Sequence, residues 1–251
     1  MNDYQRGYAR TAPMGGSMDM ALDQGLRSFM LGVYNKMGAG LLLSGILAFA
    51  TSSVPAIRDL LFVAGPVGQV GYTPIGMALS FAPMILLFGA MFFMKNPNPR
   101  SANLFYWVVV ALIGAGLGVL ALRYTGESIA RVFFITAAAF GALSLWGYTT
   151  KKDLTGMGTF LIMGVFGLLI AMVVNIFLQS SALQFAVSVI GVLVFSGLIA
   201  FDTQRLKFDY YQLQGDGAAM SVATSWGALS LYLNFINLFQ FLMAFLGQRE
   251  E

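Results

Sequence analysis

Seven apolar runs, each about as long as a bilayer core is thick, leave this chain few folds to choose from. They cover residues 33–53, 74–94, 101–122, 128–149, 156–178, 182–201 and 224–246. A run of about 20 residues, at about 1.5 Å rise per residue, makes an α-helix that crosses about 30 Å of hydrocarbon. Backbone polar groups find no partner in lipid, so a spanning segment must satisfy them internally, as a helix does. Composition agrees: 58% of the 251 residues are hydrophobic and 10% are charged. A water-soluble domain carries about 25% charged residues to cover its surface. The expected fold is an all-α integral membrane protein, a bundle of seven transmembrane helices.

The links between runs are short. Residues 95–100 contain Pro97 and Pro99, residues 123–127 turn at Gly126, 151–155 form a charged turn, and 179–181 a tight uncharged one. Short links make neighbouring helices antiparallel. Two longer connections remain, 54–73 and about 203–223, and the sixth helix is expected to continue past Asp202. The chain divides into a polar segment, 1–27, and a transmembrane domain, 28–251. The first 27 residues have no apolar core of the signal-peptide kind. Asp19, Asp23 and Arg27 recur every four residues there, as on the wet face of a juxtamembrane helix.

Cationic residues orient the bundle. With the N-terminus in the cytoplasm, the inner segments hold ten, namely Arg6, Arg10, Arg27, Lys36, Lys95, Arg100, Lys151, Lys152, Arg205 and Lys207. The outer segments hold four, Arg58, Arg123, Arg131 and Arg249. The bias favours a cytoplasmic N-terminus in a cell membrane. Seven crossings put the C-terminus outside, whereas a re-entrant last segment would return it; hydropathy does not separate the two. A net charge of +3 without a basic cluster gives no nucleic-acid partner.

The chain has no Cys and no His, which excludes Cys/His zinc sites, thiol nucleophiles and imidazole bases. A phosphate-binding GxxxxGK(S/T) loop is also missing. No catalytic residues, cofactor or certain metal site are expected, and the chain does not read as an enzyme. What remains is polarity inside the membrane, where charge is expensive and must face protein or water. Asp202 stands near the inner end of the sixth run, with Arg205 three residues on as a charge partner. On the last run Ser230, Asn234, Asn237 and Phe241 fall at i, i+4, i+7 and i+11, one face of a helix. Such a stripe belongs against protein, either as interhelical hydrogen bonding or as a polar pathway. Asn175 is expected to join helices, Glu127 and Arg131 to pair at i, i+4, Lys36 to snorkel inward, and Pro83 to kink the second helix. Gly114 and Gly118 form a small-residue face for helix packing, either within the bundle or between copies.

Several blocks together carry a family resemblance. They are Asp23 through Tyr34; Thr136 through Gly141 with Ser144, Gly147, Tyr148 and Thr149; Lys151 through Leu154, on to Asn175; Phe201-Asp202-Thr203-Gln204; and Ala228 through Phe239. In this the chain resembles the bacterial branch of the transmembrane Bax inhibitor motif, or Bax inhibitor-1, family. The resemblance implies seven helices with the C-terminal one central, surrounded by the other six. It implies a pH-sensitive calcium leak channel, with transient Ca²⁺ as cargo, closed by a hydrogen-bonded pair of aspartates from the sixth and seventh helices. Asp202 matches the first; Asn234 stands at the second. An Asp–Asn pair keeps the hydrogen bond and loses the coupled titration of two carboxylates. The second run has no Arg or Lys to lock onto Asp202. Some bacterial relatives are similar to modulators of a membrane-bound AAA protease. That alternative would make a membrane protease the partner and residues 1–27 the handle; a stress-protective membrane protein without transport is a third.

Overall fold

The computed structural model describes residues 14–64 and 70–248, with side chains from Gln24 onward. The expectations for Arg6, Arg10 and Arg249, and for the side chains of Asp19 and Asp23, lie outside the described residues. Among the described residues seven helices are long and apolar enough to cross a membrane. In chain order the elements are α1 (Met14–Ser53), α2 (Pro55–Leu61), β1 (Phe62–Ala64), β2 (Val70–Tyr72), α3 (Pro74–Phe93), α4 (Pro99–Gly116), α5 (Gly118–Ala121), α6 (Gly126–Thr149), α7 (Thr155–Leu178), α8 (Ser181–Gln212) and α9 (Gly217–Leu246).

Three helices overrun their apolar runs. Helix α1 begins at Met14, well before residue 33. Its forward part is amphipathic: Leu26, Phe29, Met30, Val33 and Met37 are buried, while Arg27 and Ser28 are exposed. That buried stripe packs on the continuation of α8, where the Phe29 and Tyr210 rings lie 5.7 Å apart. Helix α8 runs ten residues past Asp202 to Gln212. Helix α9 starts seven residues before position 224 because Asp216 caps it, its carboxylate accepting from Ala219 N at 2.9 Å. The turn between them places Gly215 at φ 90°, a conformation that favours glycine.

The connection 54–73 is more ordered than a loop. It holds α2 and a two-stranded antiparallel hairpin, with Phe62 opposite Tyr72. Thr73 fastens the hairpin to α3, donating to Leu60 O at 2.6 Å and capping Gly76 N at 3.0 Å. The third crossing is interrupted at Leu117, where α4 gives way to α5. The break falls in the glycine-rich stretch Gly114–Gly118, and Thr51 of α1 donates there to Ala115 O at 3.0 Å. Gly114 and Gly118 settle their role within the bundle: a Cβ on Gly114 would meet Ser44 Cα at 2.6 Å, and one on Gly118 would strike Thr51. The small face lets α4 lie directly on α1.

Helix α9 is the centre. Ser225, Ala228, Leu231, Asn234, Leu238 and Met243, on different faces of the helix, are all buried. In its apolar stretch 56% of residues are buried, against 11% for α7. The six surrounding helices are not equivalent. Helix α9 packs chiefly on α1, α4, α6 and α8, whereas α3 leans on α4 and α7 on α8. The two outer helices expose large apolar side chains such as Phe92, Phe93, Phe160 and Phe177.

The far end of α9 is tied to the start of α6. Gln248 N donates to Ser128 Oγ at 2.9 Å, and Thr125 N to Gln248 O at 3.1 Å. The last helix therefore runs the whole length of the bundle, and the re-entrant alternative falls away. Arg131 donates to Gln248 Oε1 at 3.2 Å, and the expected Glu127–Arg131 ion pair is absent among the described residues. Asn175 also differs: its side-chain oxygen accepts from Ser180 N at 3.0 Å, so it braces the α7–α8 turn rather than joining helices within the membrane. Gln179, at φ 48°, makes that turn sharp.

Gly114→Leu is expected to lower stability by about 1–3 kcal/mol, because the added bulk must push α4 off α1. Gly38→Leu is the matched control, since nothing lies within 4 Å of a Cβ there. Thermal unfolding of both variants in the same detergent measures the difference.

Candidate functional site

The stretch Phe201-Asp202-Thr203-Gln204 gives each of its residues a separate task. Phe201 fills the space beside Gly158 of α7, and its ring lies 5.9 Å from the Arg205 guanidinium. Thr203 shares a hydrogen bond of 3.0 Å with Ser144, which shares another of 2.5 Å with Tyr34, so α8, α6 and α1 are joined in one chain. Gln204 accepts from Leu154 N at 2.8 Å and donates to Lys152 O at 2.7 Å, holding the α6–α7 turn. Gly147 brings α6 against the backbone of Ala200, close enough that no Cβ would fit. These contacts fix the end of α8 that carries Asp202.

Asp202 is 4% exposed. One carboxylate oxygen accepts from Ser230 Oγ at 2.5 Å and from Asn234 Nδ2 at 2.7 Å, both on α9. The other faces Arg205 Nη1 at 3.0 Å, the i, i+3 partner on its own helix. Arg205 also reaches Ser230 Oγ at 3.4 Å and keeps 43% of its side chain exposed. The two expectations for Asp202, an ion pair along α8 and a hydrogen bond across to α9, are thus both realised. Burying a charge is tolerated when it is paired and its lone pairs are used.

The cluster closes one end of a cavity of about 780 Å³. One wall is the polar face of α9, with Ser230, Asn234 and Asn237; the others are mainly apolar side chains of α3, α4, α7 and α8. Asn237 lines the cavity without joining Asp202, since its amide donates to Leu233 O of its own helix at 2.8 Å. Gln240 extends the stripe and lines the cavity too. Sequence reading missed it because it sits at i+3 from Asn237, beside the i+4 position that Phe241 takes. From Ser230 to Gln240 the stripe rises about 15 Å. At the opposite end stand Tyr72 of the hairpin and Arg123, whose Nη2 donates to Val70 O at 2.6 Å. Among the described residues no group of three or more acidic side chains could hold a metal ion.

Two further polar clusters sit on other faces of α9. Lys36 does more than snorkel: it donates to Asn103 Oδ1 and Ser225 Oγ, each at 2.7 Å, and lies 5.2 Å from the Tyr106 ring centre. Tyr232 shares a hydrogen bond of 2.7 Å with Ser44. Both join α9 to α1.

Asn234→Ala is expected to cost about 1.5–3 kcal/mol, the range for a hydrogen bond to a charged group. Asn237→Ala, which removes only a bond within one helix, should stay below about 1 kcal/mol. Thermal unfolding of the two purified variants separates them.

Comparison with known proteins places the chain. The family described as inhibitor of apoptosis-promoting Bax1 matches residues 26–251. A protein of Caulobacter vibrioides is 62% identical over 251 residues, covering 100% of both chains. One of Rickettsia prowazekii is 47% identical over 235 residues, 94% of this chain and 95% of its own. The inner membrane protein YbhL of Escherichia coli is 38% identical over 226 residues, 90% of this chain and 93% of its own. With the match spanning all seven crossings, the chain belongs to the Bax inhibitor-1 family of multi-pass membrane proteins.

Proposed function

We propose that the protein is a cation leak pathway, with Ca²⁺ as the principal cargo, running along the polar face of α9 and closed at the Asp202 cluster. The observation that carries this reading is a buried carboxylate at one end of a cavity whose single polar wall is a continuous helical stripe. Hard cations prefer oxygen ligands, and Asp202, Ser230, Asn234, Asn237 and Gln240 present carboxylate, hydroxyl and amide oxygens in sequence. In the closed arrangement both carboxylate oxygens of Asp202 are engaged. Opening requires Arg205, Ser230 and Asn234 to release them.

The latch differs from a pair of carboxylates. The titratable groups that line the cavity are Asp202, Arg205, Arg123 and Tyr72, with Asp202 the one carboxylate among them, while Asp209, two turns along α8, interacts electrostatically with both Asp202 and Arg205. Restoring a second one with Asn234→Asp places two acids within hydrogen-bond reach, where they must share a proton. Calcium flux into liposomes is expected to depend more steeply on pH for Asn234→Asp than for the natural protein. Arg205→Gln removes an ion pair whose cationic partner is 43% exposed, which weakens the latch by about 1 kcal/mol or more, a rise in leak of about fivefold or more. Asp202→Asn should change the flux at every pH. Flux through the natural protein equal to that of empty liposomes would remove the reading.

The setting that fits is a bacterial inner membrane, as YbhL is named, with the N-terminus cytoplasmic. Lys95, Arg100, Lys151, Lys152 and Lys207 stand at or near the helix ends that share a side with the start of α1, and Arg58, Arg123 and Arg131 at the other. Alkaline phosphatase fused after the last residue should be active outside the cytoplasm, and an inactive fusion would reverse the orientation.

A further inference from the structure

The cavity has an incomplete wall. Helices α3 and α7 line it from opposite sides, α3 with Pro83, Met84 and Leu87 and α7 with Leu168 and Met172. Yet α3 packs on α4, α7 packs on α8, and the two make no extensive contact with each other. Both carry large exposed apolar side chains, so in a bilayer the gap between them faces acyl chains rather than water.

The ends of the cavity differ in charge. Asp202 and Arg205 neutralise each other at one end. At the other stands Arg123, exposed and without an acidic partner among the described residues. Between them Gln240 is exposed, and its side-chain amide makes no hydrogen bond with the described residues. An amide left unsatisfied in hydrocarbon is costly, so Gln240 calls for a polar partner from outside the chain.

We propose that the gap between α3 and α7 seats an anionic phospholipid of the leaflet on the Arg123 side. Its phosphate meets the Arg123 guanidinium, which matches phosphate oxygens in a forked geometry. Its glycerol ester carbonyls accept from the Gln240 amide, and one acyl chain lies along Met84, Leu87, Leu169 and Met172. Arg123 sits where α5 ends, beside the hairpin, at headgroup depth, while Gln240 lies about one and a half turns inside the end of α9. That order, phosphate then ester then hydrocarbon, is the order of groups along a phospholipid. Resting on the pathway reading, the chain would also supply the wall that α3 and α7 leave open; lipid binding itself can be tested without any flux.

The test uses the full chain in nanodiscs containing phosphatidylglycerol with a photoactivatable diazirine in one acyl chain. After illumination and digestion, mass spectrometry locates the adducts. Adducts should concentrate on Met84, Leu87, Leu169 and Met172 relative to Phe134, a residue of α6 that is 70% exposed. Arg123→Gln should lower the cleft adducts at least threefold while leaving those on Phe134 unchanged, which also shows that the variant is folded and embedded. The same probe with a phosphatidylcholine headgroup should give the cleft no such preference over Phe134. Leu87→Trp, which fills the gap, should abolish the cleft adducts. Equal labelling of the cleft and Phe134, or cleft labelling that ignores both headgroup and Arg123, would mean bulk lipid only and overturn the proposal. A protein that passes no Ca²⁺ yet shows Arg123-dependent labelling would remove the pathway and leave the lipid site standing.

Discussion

Hydrocarbon offers no partner to a polar group, and the bundle is arranged around that constraint. Helix α9 carries a lysine-binding serine, a tyrosine hydroxyl, a carboxylate-binding asparagine and a further serine on several faces. Each must be met by protein. Lys36, itself held by Asn103, meets Ser225, Ser44 meets Tyr232, and Asp202 meets Ser230 and Asn234. Helices α1 and α8 supply most of these partners and flank α9 for that reason. The apolar α3 and α7 have no such obligations and are left to the lipid side.

Close packing supports the polar ties. Gly114 lets α4, and Gly118 lets α5, approach the α1 backbone, and Gly147 does the same for α6 on α8. Without a hydrophobic driving force between helices in lipid, such close approach supplies much of the association energy. It also sets the register of the hydrogen bonds. Ser144 reaches both Tyr34 and Thr203 only because α6, α1 and α8 lie at these separations. Five helices, α1, α4, α6, α8 and α9, are so joined. The cavity lies at their margin, against the two helices that pack less.

Much of this could be read from the residues. The seven crossings, the extension of the sixth helix past Asp202 and the polar face of the last helix follow from periodicity and from the expense of polar groups in lipid. Asp202 and Asn234 meet as the family resemblance implied, and Ser230 of the same face joins them. Other side chains were not legible. Lys36 had every mark of a snorkelling residue, since its partners lie 67 and 189 positions away. Gln240 is a single amide near the end of a helix, and its meaning depends on what stands opposite. Asn175 and Arg131 found backbone and chain-end partners that no local spacing announces.

By itself, then, the sequence determined that the chain enters the bilayer as seven helices and which faces could not touch lipid, because hydrophobicity and helical periodicity are local properties. The tertiary structure decided which helices meet those faces. It set Arg205, Ser230 and Asn234 together around Asp202, packed α1, α4, α6 and α8 most closely on α9, and left a gap between α3 and α7. Those are matters of distance between residues far apart in the chain, fixed by the few places where glycine allows two backbones to touch.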